Sequence, residues 1–124
     1  ARAADLFELA ARQGLSDAQF KLATILETGR GRPADLAAAE TWYRAAALQA
    51  HSSGQFNLGV MLLNQARTED ETAEAISWLV RASRAGLSPA MGLVDRLLAT
   101  YEKDVLANAM SLADIPLSPA VGAR

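Results

Sequence analysis

Apolar and small residues recur along the chain at helical spacing and also at one longer interval of 36 residues. Trp42 and Trp78 are 36 positions apart, and Leu6 stands another 36 positions before Trp42. Self-similarity at a fixed period is the signature of a repeat architecture. Four further positions keep the same register in three successive copies: Ala10, Ala46 and Ala82; Gly14, Ala50 and Gly86; Ala18, Gly54 and Ala90; Leu22, Leu58 and Val94.

Helix start and stop signals follow the same period. Ser16, Ser52 and Ser88 stand where N-caps are expected, and Gln19 and Gln55 follow two of them by three residues, the spacing of a capping box. The run from Gly29 to Pro33 predicts the end of one helix and the opening of the next. In the second copy Thr68 and Glu71 predict a further capping box.

These signals predict an all-α protein built from helical hairpins. Tryptophan beside alanine or glycine at each repeat predicts close helix packing, with Trp42 and Trp78 in the core, and stacked hairpins of this kind form an α-solenoid. The predicted helices are a partial helix at 3–13 and pairs at 17–28 with 34–49, 53–64 with 70–85, and 89–102 with 104–113. The predicted organisation is a single repeat domain at 1–114, with the second helix of a preceding repeat at 1–15, repeats at 16–51 and 52–87, a degenerate capping repeat at 88–114, and an extended tail at 115–124.

Composition and charge narrow the classes of function. The chain is 51% apolar and 21% charged, which is typical of a folded domain, and no apolar run approaches the roughly 20 residues of a membrane span. The formal charge of −2, with acidic and basic residues scattered, argues against nucleic acid as a partner. Because cysteine is absent, disulfides, thiolate nucleophiles and Cys-ligated zinc are excluded.

The sequence motifs of these repeats resemble those of the Sel-one-like repeat family, a tetratricopeptide-related group of α-solenoids. The resemblance covers about residues 3–101 and rests on three phrases: 18–23 (AQFKLA), 29–31 (GRG) and 42–46 (WYRAA). Ala23, Gly92 and Asp114 depart from the family pattern, which has glycine at the first position and aromatic residues at the other two. The resemblance implies a fold used to assemble protein complexes.

Three features of the sequence are candidates for catalysis or ligand binding, and each of them also has a structural explanation. His51 is the only histidine, and without a second histidine or a cysteine it is interpreted as a turn residue. Gly29 and Gly31 fit a helix-ending turn better than a phosphate cradle, since no strand precedes them. The run of acidic residues at 69–71 fits the N-terminus of a helix. The sequence therefore predicts no catalytic residue, no cofactor and no metal.

In tetratricopeptide-like solenoids the first helix of each hairpin lines the concave side, so the resemblance implies that a partner binds to these helices. Two stripes at helical spacing, one on each first helix, form the predicted partner-binding site: Asp17, Phe20, Thr24 and Glu27, and then Phe56, Val60 and Leu63. The apolar members could seat an amphipathic helix or an extended peptide. In the alternative interpretation, both phenylalanines pack between adjacent first helices.

The leading hypothesis is a protein-interaction scaffold or adaptor of a bacterium, in a cell-envelope or signalling complex. One alternative is a hydrolase acting on cell-wall or β-lactam substrates, for which the sequence offers no nucleophile with a base. Another is an inhibitor that occludes one enzyme or toxin. The compartment stays open between periplasm and cytoplasm, with the resemblance favouring the periplasm.

Overall fold

In the computed structural model residues 2–117 are described, and within that range the chain forms seven α-helices and no strand. Each helix end lies within two residues of its predicted position, so the helical predictions are confirmed. The helices are α1 (Arg2–Arg12), α2 (Ser16–Thr28), α3 (Leu36–Leu48), α4 (Ser52–Gln65), α5 (Glu69–Arg84), α6 (Ser88–Thr100) and α7 (Lys103–Ala113).

The helices fall into two compact units, one ending at Gly54 and one spanning Gln55–Pro116. In the first unit α2 packs against both α1 and α3. In the second unit α5 packs against both α6 and α7. The predicted division into repeats and the capping role of residues 88–114 stay predictions.

Left-handed backbone residues connect the helices at the repeat period. Gly14 and Gly86 have φ values of 92° and 91°, and Ala50, at the same register, has φ 63°. This conformation costs a residue with a Cβ about 1 to 2 kcal/mol, which explains glycine in the other two copies. Gly29 ends α2 at φ 79°, and its N–H donates to Ile25 O, so the helix-ending interpretation is confirmed.

All three predicted serine N-caps are wrong. Ser16, Ser52 and Ser88 are each the first residue of their helix. The cap positions of α2 and α6 belong to Leu15 and Leu87, which make no side-chain cap bond, and the first turn of α4 is capped by His51. The helices begin one residue early because the carbonyls of the two leucines already accept helical bonds, such as that from Gln19 N–H to Leu15 O at 3.0 Å.

Gln19, which was predicted to form a capping box with Ser16, has another role. The Gln19 side chain is buried, donates to Ala11 O at 3.2 Å and accepts from Gln49 Nε2 at 2.9 Å. Gln49 Nε2 also donates to Gly14 O at 2.8 Å. Gln19 therefore joins α1 to the end of α3 instead of capping its own helix.

The predicted cap at α5 is confirmed. Thr68 Oγ1 accepts the N–H of Glu71 at 3.1 Å, while the Glu71 carboxylate accepts the N–H of Arg67 at 2.8 Å. The cap of α3 comes from a residue that the sequence did not single out, since Asp35 accepts the N–H of Ala38 at 3.0 Å. Pro33 consequently lies before the helix and not in its first turn.

The tryptophans differ in burial. Trp78 is a core residue at 7% exposure, as predicted, whereas Trp42 is only half-buried and the expectation of a core position is wrong for it. The neighbouring Tyr43 is fully buried instead, and its hydroxyl lies 3.4 Å from Thr24 Oγ1 of α2. Leu6, at the same repeat position, is 62% exposed.

The core of the second unit is a cluster of aliphatic side chains from α5, α6 and α7. Its centre includes Ile76, Leu79, Val94 and Val105. Gly59 of α4 lies close against this core, since a Cβ built there would stand 2.7 Å from Leu79 Cγ. The absence of a side chain at this position thus permits the close approach of α4 and α5.

The Arg81 side chain forms hydrogen bonds at the C-terminal end of α7. Its guanidinium donates to Leu112 O at 2.8 Å and to Ile115 O at 2.6 Å, and it lies 5.3 Å from the centroid of the Trp78 ring. Desolvation by burial and the nearby Arg84 lower the pKa of Arg81, while Asp114 acts in the opposite direction. Residues 115–117 form no helix or strand, and the rest of the predicted tail, 118–124, lies outside the described residues.

Candidate partner-binding surfaces

The first predicted stripe lies on α2 and is organised around Phe20. The Phe20 ring is half-buried, stacks on His51 with centroids 5.0 Å apart and an interplanar angle of 28°, and meets Tyr43 at 5.9 Å. Thr24, the next member, donates through Oγ1 to Phe20 O at 3.0 Å. Phe20 is therefore held by two rings while part of its surface still faces outward.

Carboxylates flank this aromatic residue at both ends of the stripe. Asp17 has 92% of its side chain exposed and places Oδ1 2.8 Å from His51 Nε2. Glu27 is exposed as well, and its Oε1 accepts the hydroxyl of Tyr43 at 2.6 Å. The two exposed carboxylates are thus positioned by side chains from outside α2.

His51 does more than the predicted turn residue. Its Nδ1 accepts the N–H of Gly54 at 2.9 Å, which caps the first turn of α4 in the way that a side-chain oxygen commonly does. Because Nδ1 accepts, the proton of the neutral ring lies on Nε2, where it faces Asp17. Both ring nitrogens are engaged in structural contacts, which leaves neither in position to act as the general base of the hydrolase alternative.

The second predicted stripe belongs to the other unit. Phe56, Val60 and Leu63 are all partly buried, and all three pack against the aliphatic core formed by α5, α6 and α7. Their packing means that these residues contribute to stability. Their remaining exposed surface is apolar, so their part in partner binding stays a prediction.

An ion-pair cluster that the sequence analysis did not single out joins α1 to the loop before α3. Arg32 pairs with Glu8 at 2.7 Å and with Asp5 at 3.0 Å, and Glu8 also pairs with Arg12 at 2.6 Å. Hydrogen bonds from Arg12 and Arg32 lower the pKa of Glu8, and the hydrogen bond to Glu8 raises the pKa of Arg32. In the sequence, this cluster was indicated by one feature, the i, i+4 spacing of Glu8 and Arg12.

The cluster forms one wall of an open cleft of about 640 Å³, which Trp42 and Leu26 also line. The charged groups of the wall neutralise one another, so the cleft presents no unpaired charge of Arg32 or Glu8 to a ligand. Among residues 2–117 no group of three or more His, Cys, Asp or Glu side chains could hold a metal ion. In the same range, none of the helices has the length and apolar character of a membrane span.

Comparisons with known proteins place these features in a family. The family model described as Sel1 repeat matches residues 1–15, 16–51 and 52–87. The chain is also similar to a solved Sel1 repeat protein from Oxalobacter formigenes, with 29% sequence identity, a TM-score of 0.67 and 73% of this chain covered. It covers 36% of that solved chain, about a third of its length.

The comparisons confirm the predicted fold class, an all-α repeat solenoid, and the resemblance read from the repeats. Sel1 repeats are generally protein–protein interaction modules and are typically non-catalytic. The chain belongs to the Sel1 repeat family.

Proposed function

We propose that this chain is a scaffold or adaptor that binds a segment of another protein on the exposed face of α2. The observation that carries the proposal is the pair of exposed carboxylates, Asp17 and Glu27, held in place by His51 and Tyr43 on either side of Phe20. Side chains that are already ordered lose little conformational entropy on binding, which favours their use in recognition.

The spacing of the carboxylates indicates the chemistry of the partner. Ten residues separate Asp17 from Glu27, which corresponds to about 15 Å along a helix at 1.5 Å per residue. A complementary segment carries two basic side chains about this far apart, with an apolar side chain between them for Phe20. In the second unit, Phe56, Val60 and Leu63 are proposed to add apolar contacts for the same function.

We further propose that this scaffold works in a bacterium. The solved relative comes from a bacterium, and the family resemblance favours an envelope or signalling complex, with the periplasm as compartment. The negative formal charge supports a protein partner rather than nucleic acid. No contact in residues 2–117 favours the hydrolase or the inhibitor alternative over a scaffold.

Selection from a random displayed peptide library tests the surface. Peptides enriched on the immobilised chain should carry two basic residues flanking an apolar one. Their affinity for Glu27→Gln should be about three- to fivefold lower, the effect of losing one exposed charge pair. Glu40→Gln is the matched control, because Glu40 is a carboxylate on α3 that pairs with Arg44 and lies off the stripe.

A second variant tests whether the ordering of the carboxylate matters. Tyr43→Phe keeps the buried ring and removes only the hydroxyl that holds Glu27, so the selected peptides should bind it more weakly. Enrichment of peptides without basic residues, or equal binding to the parent, Glu27→Gln and Glu40→Gln, would contradict the proposed surface.

A further inference from the structure

His51 connects the beginning of α4 to the acidic and aromatic residues of α2. Its Nδ1 accepts the N–H of Gly54 at 2.9 Å, its Nε2 lies 2.8 Å from Asp17 Oδ1, and its ring stacks on Phe20. A backbone N–H can only donate, so the contact with Gly54 requires an Nδ1 without a proton. The three contacts together therefore need the neutral ring with its proton on Nε2.

The ring is closely surrounded by these partners. Only 16% of the His51 side chain is exposed. A Cβ built on Gly54 would stand 3.3 Å from Nδ1 and 3.0 Å from the Cβ of Ala46, so the ring, α3 and the start of α4 approach one another closely. A change in the protonation of the ring thus acts directly on the helix start and on Asp17.

The charged groups next to the ring come from α2. Asp17 contacts it, and Lys21, one helical turn further along, is exposed. Apart from the histidine, residues 45–65 contain no titratable side chain, so the end of α3 and all of α4 bring none to the ring. The charged residues of α3 that precede this segment, Glu40 and Arg44, pair with each other at 3.6 Å. Protonation of the ring therefore places a positive charge directly beside the carboxylate of Asp17.

Protonation changes the contacts of both ring nitrogens. A proton on Nδ1 sets two donors against each other, so the N–H of Gly54 loses its acceptor and the cap of α4 is lost. On the other side, the positive ring compensates the charge of Asp17 and reduces its attraction for a basic side chain. Histidine side chains ordinarily gain their charge between about pH 8 and pH 5, which includes the physiological range.

We propose that His51 makes partner binding on α2 sensitive to pH, because the neutral ring supports the binding of a basic segment and the protonated ring weakens it. The inference rests on the proposed function, in which Asp17 and Glu27 face two basic side chains on either side of Phe20. It adds regulation to that surface, since acidification compensates one of the two carboxylates and disturbs the ring on which Phe20 stacks.

Peptide binding at two pH values tests the inference. The probe is the most enriched library peptide whose basic residues are lysine or arginine and which lacks histidine, so that these basic groups stay charged between pH 8 and pH 5.5. Isothermal titration calorimetry should show binding to the parent about three- to fivefold weaker at pH 5.5 than at pH 8, the effect of losing one exposed charge pair. Circular dichroism at both pH values checks that the chain stays folded.

His51→Asn is the matched control, because it removes the titrating group and keeps a cap. Asparagine is among the preferred N-cap residues, and its side-chain oxygen can accept the N–H of Gly54. This variant should bind the peptide with the same affinity at pH 8 and pH 5.5. Without peptide, the Gly54 amide of the parent should shift in the ¹H–¹⁵N NMR spectrum with the same pH midpoint as the His51 ring protons, and in the variant it should stay in place.

Three results would overturn the inference: equal affinity of the parent at the two pH values, an equal loss of affinity in His51→Asn, or a Gly54 amide that does not follow the titration of the ring. These results are distinct from a failure of the proposed function. If the library yields no basic peptide, the surface on α2 is wrong, whereas a peptide that binds Glu27→Gln more weakly but binds the parent equally at both pH values contradicts only the role of His51.

Discussion

Replacing Gly59 with alanine should destabilise the second unit, although alanine favours helices. A Cβ at this position would lie 2.7 Å from Leu79 Cγ and 2.8 Å from Leu79 Cδ2, against about 3.5 to 4.0 Å for an optimal carbon contact. Leu79 has no exposed surface into which it could shift. The backbone oxygen of Ala75, 3.0 Å away, is the third obstacle and cannot rotate aside.

The expected magnitude is a balance of two opposing contributions. Overpacking a core position commonly costs about 1 to 3 kcal/mol. The higher helix propensity of alanine offsets about 1 kcal/mol of that cost. Because three atoms obstruct the methyl group and one of them belongs to the backbone, we expect the upper part of the range and a net loss of about 1 to 2 kcal/mol.

Urea unfolding followed by far-UV circular dichroism measures this difference. Gly92→Ala is the matched control, because the nearest atom to a Cβ there is Arg96 Nη1 at 3.9 Å, and this variant should gain about 0.5 to 1 kcal/mol. In the first repeat the equivalent position holds Ala23, and Tyr43 stands at the position of Leu79. A Gly59→Ala chain as stable as the parent would refute the reasoning.

The remaining predictions compare residues that are alike in sequence but placed differently. Trp78→Ala should lower the free energy of unfolding by about 3 to 5 kcal/mol, and Trp42→Ala by clearly less, as urea titrations would measure. Thr68→Ala should cost about 1 kcal/mol by removing a cap, whereas Ser16→Ala, which removes none, should be close to neutral in thermal melts. The lowered pKa of Glu8 predicts that its ion pairs stabilise the chain above pH 4.5, its ordinary value, and that this contribution is lost as the pH falls through the lowered pKa. Arg32→Ala should therefore make the unfolding midpoint depend less on pH in this acidic range. An unchanged pH dependence would contradict the assignment.

The candidate site was predictable in part. The i, i+3, i+7 and i+10 spacing placed Asp17, Phe20, Thr24 and Glu27 on one helix face. Neither spacing nor residue type could reveal that His51 and Tyr43 hold the carboxylates, because those contacts join positions 34 and 16 residues apart.

Local signals in the sequence determined the elements of this protein. The period, the helix ends and the left-handed turns at Gly14, Gly29 and Gly86 follow from steric and hydrogen-bonding preferences that act within a few residues. The repeat itself, once read, determined the fold class, because a hairpin cannot bury its apolar face without a neighbour.

Tertiary contacts alone decided which of several similar residues has which role. Tyr43 and not Trp42 is fully buried in the unit where α2 packs against α3. His51 rather than a serine caps α4, because the chain enters the helix one residue earlier than the serine pattern suggests. Burial and capping depend on the atoms that neighbouring helices bring into contact, and a local pattern contains no information about those atoms.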